Sequence, residues 1–317
     1  MTIPMPATNS LEGWTRLTDW GLIRASGEDA ASFLHGQLTQ DMSHLEPGQA
    51  RLAGYCSAKG RLLATFVVWR PAPNEFLLAC SADLLPVVLK RLSMFVLRAK
   101  CKLTDVSAER PLWGGAGDAA WAASAAFGQP SAAPPWTCTA GEWGDAVALP
   151  DALVDGMHVP RWLLAAAVPW AETLELDAWR WLEAKSGVAR VMAATSEQFV
   201  PQMINLDLVG GVNFQKGCYP GQEVVARSQY RGTLKRRGAV VESPVSLQPG
   251  QEIFHSVDPG QPAGRVVLAG TLRGSRHAAL VELKLAALAT GTLHAGTADG
   301  PLLTPGELPY AIPAEAA

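Results

Sequence analysis

Apolar and polar positions recur regularly enough along the chain to predict most of its elements. Gly21-Leu22-Ile23-Arg24-Ala25 reads as a short strand. Ser26-Gly27-Glu28-Asp29 then predicts a helix start, with Ser26 accepting an early helix N–H and Asp29 reaching back. Ala30, Phe33, Leu34 and Leu38 follow at helical spacing. His35-Gly36-Gln37 interrupts them. The plain account is a helix end closed by glycine and polar side chains, and a polar segment beside an apolar face is also a weak functional signal. Arg51–Cys56 and Arg61–Trp69, around Ser57-Ala58-Lys59-Gly60, predict a β-hairpin. Glu75–Cys80 predicts a further strand, Asp83–Phe95 a helix and Ala99–Val106 another strand. That order suggests a sheet with helices on one face.

From Pro111 to Pro150 the pattern fades into Ala, Gly, Trp and Pro, and the expectation is irregular α+β structure with long loops. The tryptophans there (113, 121, 136 and 143) read as packing residues. Leu174–Lys185 is a clear helix that Gly187 can close. Its Asp177, Arg180 and Glu183 share one stripe, which on an isolated helix means a solvated charge ladder. Phe199–Asp207 is a loop rich in amides and carboxylates. Beyond Lys235-Arg236-Arg237, short apolar alternations at 238–242, 252–257, 264–269 and 277–285 are parted by Pro-Gly and Gly-Ser turns. They predict a small all-β sandwich or barrel, with a boundary near residue 235.

One stretch does not fit a packing pattern. Lys216-Gly217-Cys218-Tyr219-Pro220-Gly221-Gln222-Glu223 crowds a cation, two glycines, a thiol, a phenol, an amide and a carboxylate together. The glycines imply a sharp turn or a close approach, and Pro220 stiffens it. Either the loop presents a reactive cysteine, or it is a tight turn over a buried one.

Composition narrows the classes. The chain has 317 residues, 48% of them apolar and 17% charged, with a net charge of -3. That describes a globular protein of two or three domains, with no global pull toward nucleic acid or membrane. The first residues lack a basic region followed by an apolar run, so the expectation is a cytoplasmic protein without a secretory signal. Five scattered cysteines without a CxxC pair, and six histidines without close pairing, argue against disulfides and a metal site in cis.

Taken together, these segments resemble the YgfZ family of folate-binding proteins, relatives of the glycine-cleavage aminomethyltransferase (T-protein). Lys216–Glu223 matches that family's KGCYxGQE signature. Phe33–Gln37 with Asp41, Lys59-Gly60-Arg61, Arg180–Gly187, Phe199–Gln202 and Asn205-Leu206-Asp207 follow family segments in order. The resemblance implies an α+β fold of two ferredoxin-like lobes around a central cavity plus a small C-terminal β-barrel. Residues 1–235 would form the folate-binding lobes and 236–317 the barrel.

The resemblance also implies tetrahydrofolate, or a one-carbon derivative, as cofactor. Glu183 matches the glutamate that accepts the pterin N3–H and 2-amino group. Trp179, Phe199 and Tyr55 are candidate ring walls. Arg227, with Arg231, Lys235, Arg236 and Arg237 beyond it, is the candidate cation for the glutamate tail. Asn205, Asp207, Tyr219 and Gln222 would complete the cofactor rim, and Cys218, helped by Lys216, would be the reactive thiol.

The family's association is with upkeep of iron–sulfur proteins, including tRNA-modifying enzymes, so such clients or assembly proteins are the expected partners. An alternative is aminomethyl transfer to a protein carrier or tRNA. The T-protein aspartate for that step lies in a segment that here reads Leu78–Asp83 without the usual asparagine, leaving Asp83 unaligned. Five basic and no acidic residues from Arg227 to Arg237 add a weak RNA contact as a further expectation.

Overall fold

The computed structural model describes residues 11–118, 133–141, 144–167, 171–230 and 234–313. Strands β2 (Trp20–Ser26), β3 (Ala50–Cys56), β4 (Leu62–Ala72), β5 (Glu75–Ser81) and β6 (Lys102–Asp105) form one antiparallel sheet in the order β3-β4-β5-β2-β6. Helices α1 (Ala30–Gln37) and α2 (Leu85–Val96) pack on one of its faces. The hairpin predicted around Ser57–Gly60 is present, because its two strands and its turn are all encoded locally.

This sheet is buried on both faces. On β5, Phe76, Leu78 and Cys80 join the core beneath the helices, while Leu77 and Ala79 join a second core. That is why the strand reads as a continuous apolar run and not as an alternation.

The second core lies between the first sheet and another, ordered β1-β7-β10-β9-β8. It is built from β1 (Gly13–Arg16), β7 (Leu112–Ala116), β8 (Cys138–Gly141), β9 (Gly144–Val154) and β10 (Met157–Ala165). Three of its strands, β7, β8 and most of β9, come from the stretch expected to be irregular, so that expectation is corrected. The reason is steric. A Cβ on Gly114 of β7 would stand 2.6 Å from the Trp179 ring, and one on Gly115 would stand 2.7 Å from Trp14. The strand is stripped of side chains because distant tryptophans cover both its faces, and that erases its hydrophobic pattern. Trp113 is a buried packing residue as expected, while Trp121 and Trp143 lie outside the described residues.

The predicted capping box at Ser26 also needs correction. Asp29 occupies the N-cap of α1, but no side-chain cap bond forms. Its Oδ2 instead accepts the Lys100 backbone N–H at 2.7 Å, tying the helix start to the end of α2.

Helix α3 (Leu176–Lys185) packs against the second core and the barrel. The barrel closes in the order β11-β14-β13-β12-β15-β16. Its strands are β11 (Arg236–Ser243), β12 (Glu252–His255), β13 (Gly264–Leu272), β14 (Arg276–Lys284), β15 (Leu293–Ala295) and β16 (Leu302–Pro305). Backbones touch where β13 crosses α3, since a Cβ on Gly270 would stand 2.1 Å from the Trp181 nitrogen. No helix among the described residues is long and apolar enough to cross a membrane.

Candidate functional site

The stripe on α3 turns inward along its length. Asp177, at the exposed end, accepts from Arg180 Nη1 at 2.8 Å, and Arg180 Nε donates to Asp19 Oδ2 at 3.0 Å. Glu183, near the helix C-terminus, is 4% exposed. Its Oε1 accepts Arg190 Nε at 2.7 Å and its Oε2 accepts Arg190 Nη2 at 2.9 Å, a two-pronged pair in the core. The solvated-ladder account therefore holds for Asp177 and Arg180 and fails for Glu183.

Arg190 further donates to Ser81 Oγ at 3.1 Å and to Asp19 Oδ2 at 3.1 Å, and it stacks on the Trp20 ring at 4.7 Å. Burial alone would lower this guanidinium, but Glu183 and Asp19 outweigh it and raise it above the ordinary arginine value. Sequence reasoning missed Arg190, Asp19 and Trp20. The available signal was an arginine inside the apolar run Val188-Ala189-Arg190-Val191.

Glu183 and Arg190 border a narrow cleft between the two sheets. Counting the part open to solvent it holds about 380 Å³, of which about 30 Å³ is wide enough to hold water freely. Trp20, Phe66 and Trp136 supply aromatic walls, and Arg161 a second cation. Trp136 sits at φ 70 in the left-handed region, an unusual place for a bulky residue. The Ala50 N–H donates to its carbonyl at 2.7 Å, and its own N–H donates to the Ala148 carbonyl at 2.7 Å, so it bridges the two sheets. The expected ring walls are not these. Tyr55 and Phe199 belong to the core beneath α1, and Trp179 lies between Gly114 and Arg161. On its other side the Glu183–Arg190 pair borders a roomier polar cleft toward the barrel, about 820 Å³ counted the same way, of which about 350 Å³ is wide enough to hold water freely, lined also by Asp19, Gln248 and Thr271.

The cysteine loop is a separate construction. Gly221, at φ 79, presses on the hairpin turn: a Cβ there would stand 2.3 Å from the Ser57 carbonyl oxygen and 2.6 Å from Gly60 Cα. Gly60 in turn faces Val224 at the start of α4 (Gln222–Tyr230). Two glycines meet because only bare backbone fits. The Lys216 ammonium donates to the carbonyls of His35 and Leu38 at the end of α1, the latter at 2.8 Å, and lies over the Tyr219 ring at 4.8 Å. Burial pulls it down to about 8, against the pull of Asp41 and Cys218. Lys216 and Tyr219 thus pin the loop, and Tyr219, buried, has its phenol pushed up.

Cys218 is exposed. Burial pushes the thiols of Cys56, Cys80 and Cys138 up to about 12 and that of Cys101 up to about 11. At pH 8, limiting iodoacetamide is therefore expected to label Cys218 first, giving a single mass increment that Cys218→Ser abolishes. Comparable labelling of Cys56 or Cys80 in the folded protein would contradict this.

The remaining predicted residues separate. Asn205, at φ 59, faces the barrel: its Nδ2 donates to the Gly238 carbonyl at 2.9 Å and to the Tyr310 hydroxyl at 3.2 Å, and its Oδ1 accepts the Gly238 N–H at 3.0 Å. Asp207 pairs with Arg237 at 2.7 Å. Gln222 opens α4 and Arg227 is exposed on it. Arg236 is paired with Glu282 at 2.7 Å. Arg237 is thus buried in its pair and Arg236 partly so, which leaves the basic stretch fewer free cations than its sequence suggests. Arg231 lies outside the described residues, leaving Arg227 and Lys235 exposed. Asp83 Oδ2 accepts the Ala193 N–H at 3.0 Å instead of facing the cleft.

Lys216, Cys218, Tyr219 and Gln222 therefore gather in one loop, and Glu183 stands apart from them. Strand β4 joins the two places. The turn under Gly221 lies at its start, and Thr65, whose Oγ1 accepts the Val191 N–H at 3.0 Å, lies beside Arg190. From Leu62, where β4 begins, to Thr65 the strand rises roughly 10 Å.

No protein-family model matches the chain. The tRNA-modifying protein YgfZ of Klebsiella pneumoniae (strain 342) is 33% identical over 225 residues, covering 69% of this chain and 68% of the relative. The chain belongs to the YgfZ family. Among solved structures, the glycine cleavage system aminomethyltransferase T from Bartonella henselae matches with a TM-score of 0.71. The match covers 95% of this chain and 87% of that one, at 18% identity, and shows a shared fold. Two antiparallel sheets with a closed six-strand barrel are thus the frame in which this YgfZ-family chain holds its buried Glu183 and its exposed Cys218.

Proposed function

We propose that this protein binds tetrahydrofolate, or a one-carbon derivative of it, in the Glu183 cleft. Cys218 then serves the upkeep of iron–sulfur proteins, among them enzymes that modify tRNA. The observation that carries the folate reading is Glu183 itself, a buried carboxylate aimed by Arg190 beside aromatic walls. Arg190 uses one acceptor direction on each oxygen, and a carboxylate offers about four. Arg190 takes the two parallel directions, and the two that remain diverge on either side of the carboxylate, so one oxygen is left to accept one donor of a pterin edge, its N3–H or its 2-amino group. Trp20 Nε1, in the same lining, is buried without a partner among the described residues, and since only about 30 Å³ of the cleft is wide enough for water, a pterin ring enters only as the walls part. The residues fit the group.

When bound, the folate would supply the one-carbon chemistry. The chain's own part is to hold the pterin edge on Glu183, fix that carboxylate's orientation with Arg190, and exclude water with Trp20, Phe66 and Trp136. Cys218 would offer its sulfur from an exposed loop to a client's cluster, which is substrate and not a resident group. The aminomethyl-transfer reading has less support, since Asp83 is exposed, accepts the Ala193 N–H with one oxygen and is not in the lining of the Glu183 cleft. A relative that modifies tRNA supports a client in that process.

Calorimetric titration with tetrahydrofolate tests the pocket. Glu183→Gln, checked for fold by circular dichroism, is expected to weaken binding about ten- to hundredfold, as loss of a charged hydrogen-bond acceptor does. Unchanged affinity would remove Glu183 from the site. Cys218→Ser is expected to keep folate and to fail in cells that depend on the protein; full complementation by it would remove the thiol from the function.

A further inference from the structure

The Glu183 cleft holds a second charge that the reading above leaves unused. Arg161, on β10, is 3% exposed. Its Nε donates to the Pro150 carbonyl at 3.1 Å, and its guanidinium stacks on the Trp179 ring at 5.3 Å. Among the described residues, no hydrogen bond or ion pair engages its two Nη groups. Glu183 and Asp151 act on it only through space, and Glu183 is held by Arg190. Burial pulls Arg161 down to about 10, so it remains charged at neutral pH. The Nη groups are not among the fully buried polar atoms without a partner, so they reach the clefts that Arg161 borders. Their donors are open to whatever fills those clefts.

The placement says which kind. Arg161 and Glu183 line the same flat, aromatic-walled cleft. One offers a forked donor and the other acceptor oxygens. A planar ring satisfies both when an N–H edge and a carbonyl oxygen lie side by side on it. We propose that Arg161 is a specificity residue that donates to the 4-oxo oxygen of a bound pterin, next to the N–H edge taken by Glu183. This rests on the folate reading and adds to it the requirement for an oxo group. The competing account is solvent. Arg161 also borders an outer cleft lined by Asp151 and Trp162, and water there could occupy its donors.

Discrimination between two ligands separates these accounts. The full-length protein is titrated with tetrahydrofolate and with its 4-amino-4-deoxy counterpart, in which the oxygen is replaced by a donor. Wild type should prefer the oxo form. In Arg161→Met the ratio of the two affinities should fall at least about tenfold, the size of one charged hydrogen bond, while the Glu183 share of the preference persists. Arg161→Lys, which keeps the charge and loses the fork, should fall between and covers the case in which the methionine variant does not fold. A ratio unchanged within about twofold in the folded variant overturns the proposal and leaves the folate reading standing. Failure of wild type to bind either ligand, or indifference of both to Glu183→Gln, overturns the folate reading and the proposal with it.

Discussion

Arg190→Met is expected to cost about 3–5 kcal/mol of folding stability, the usual consequence of removing one partner from a buried ion pair. Arg190 is 4% exposed and answers Glu183, Asp19 and Ser81 together. Without it, among the described residues, Glu183 stays buried with both oxygens unanswered, and Asp19, whose Oδ1 already lacks a partner there, keeps only Arg180.

The loss should depend on pH. Burial would raise the Asp19 carboxyl, but Arg190 and Arg180 outweigh it and hold it below the ordinary value. A carboxylate whose folded pKa is depressed contributes stability above its unfolded pKa and loses it as pH falls through the folded one. The gap between wild type and variant should therefore be full at neutral pH and narrow below about pH 4. Urea unfolding followed by tryptophan fluorescence reads it, since the chain has 11 tryptophans. A loss under about 1 kcal/mol would show the pair to be incidental. Glu183→Leu combined with Arg190→Met should recover part of the loss, because two apolar groups leave no stranded charge.

Asn205→Ala is expected to cost about 3 kcal/mol. Two effects add. A left-handed backbone at φ 59 suits asparagine and costs alanine about 1 kcal/mol. The larger share comes from Gly238, whose N–H and carbonyl are both held by the Asn205 side chain in a buried setting and would be left unpaired. Asn205→Gly separates the two, since glycine keeps the backbone and loses only the bonds; it should recover the smaller share. The Tyr310 hydroxyl, which accepts from Asn205 and donates to the Gly187 carbonyl at 2.7 Å, ties the same point to the end of α3. Equal stability of the alanine variant and wild type would mean that this seam carries no load.

The site was legible in parts. The Lys216–Glu223 loop stood out because its composition cannot arise from packing, and Gly221 proves to be a glycine because the Ser57 carbonyl leaves no room for a Cβ. Polarity was a poorer guide to direction. Asn205 and Asp207 look like ligand groups in the sequence, yet they face Gly238 and Arg237 across the seam with the barrel. Glu183 looked like a solvated rung on a charged stripe. Only its inward turn next to Arg190 buries it in the cleft and makes it a candidate for recognition.

The sequence by itself determined the elements whose signals are local: the β3–β4 hairpin, helix α3, the alternating strands of the barrel and the cysteine loop. Each needs only a period, a turn or a dense motif within a few residues. Tertiary structure alone decided the second sheet, where Trp14 and Trp179 come from elsewhere in the chain to fill the space left by Gly115 and Gly114. It alone decided the walls of the cleft and the meaning of Glu183, Arg190 and Arg161. A charge on a sequence carries no depth, and whether it is solvated, paired or waiting for a ligand depends on what distant strands place around it.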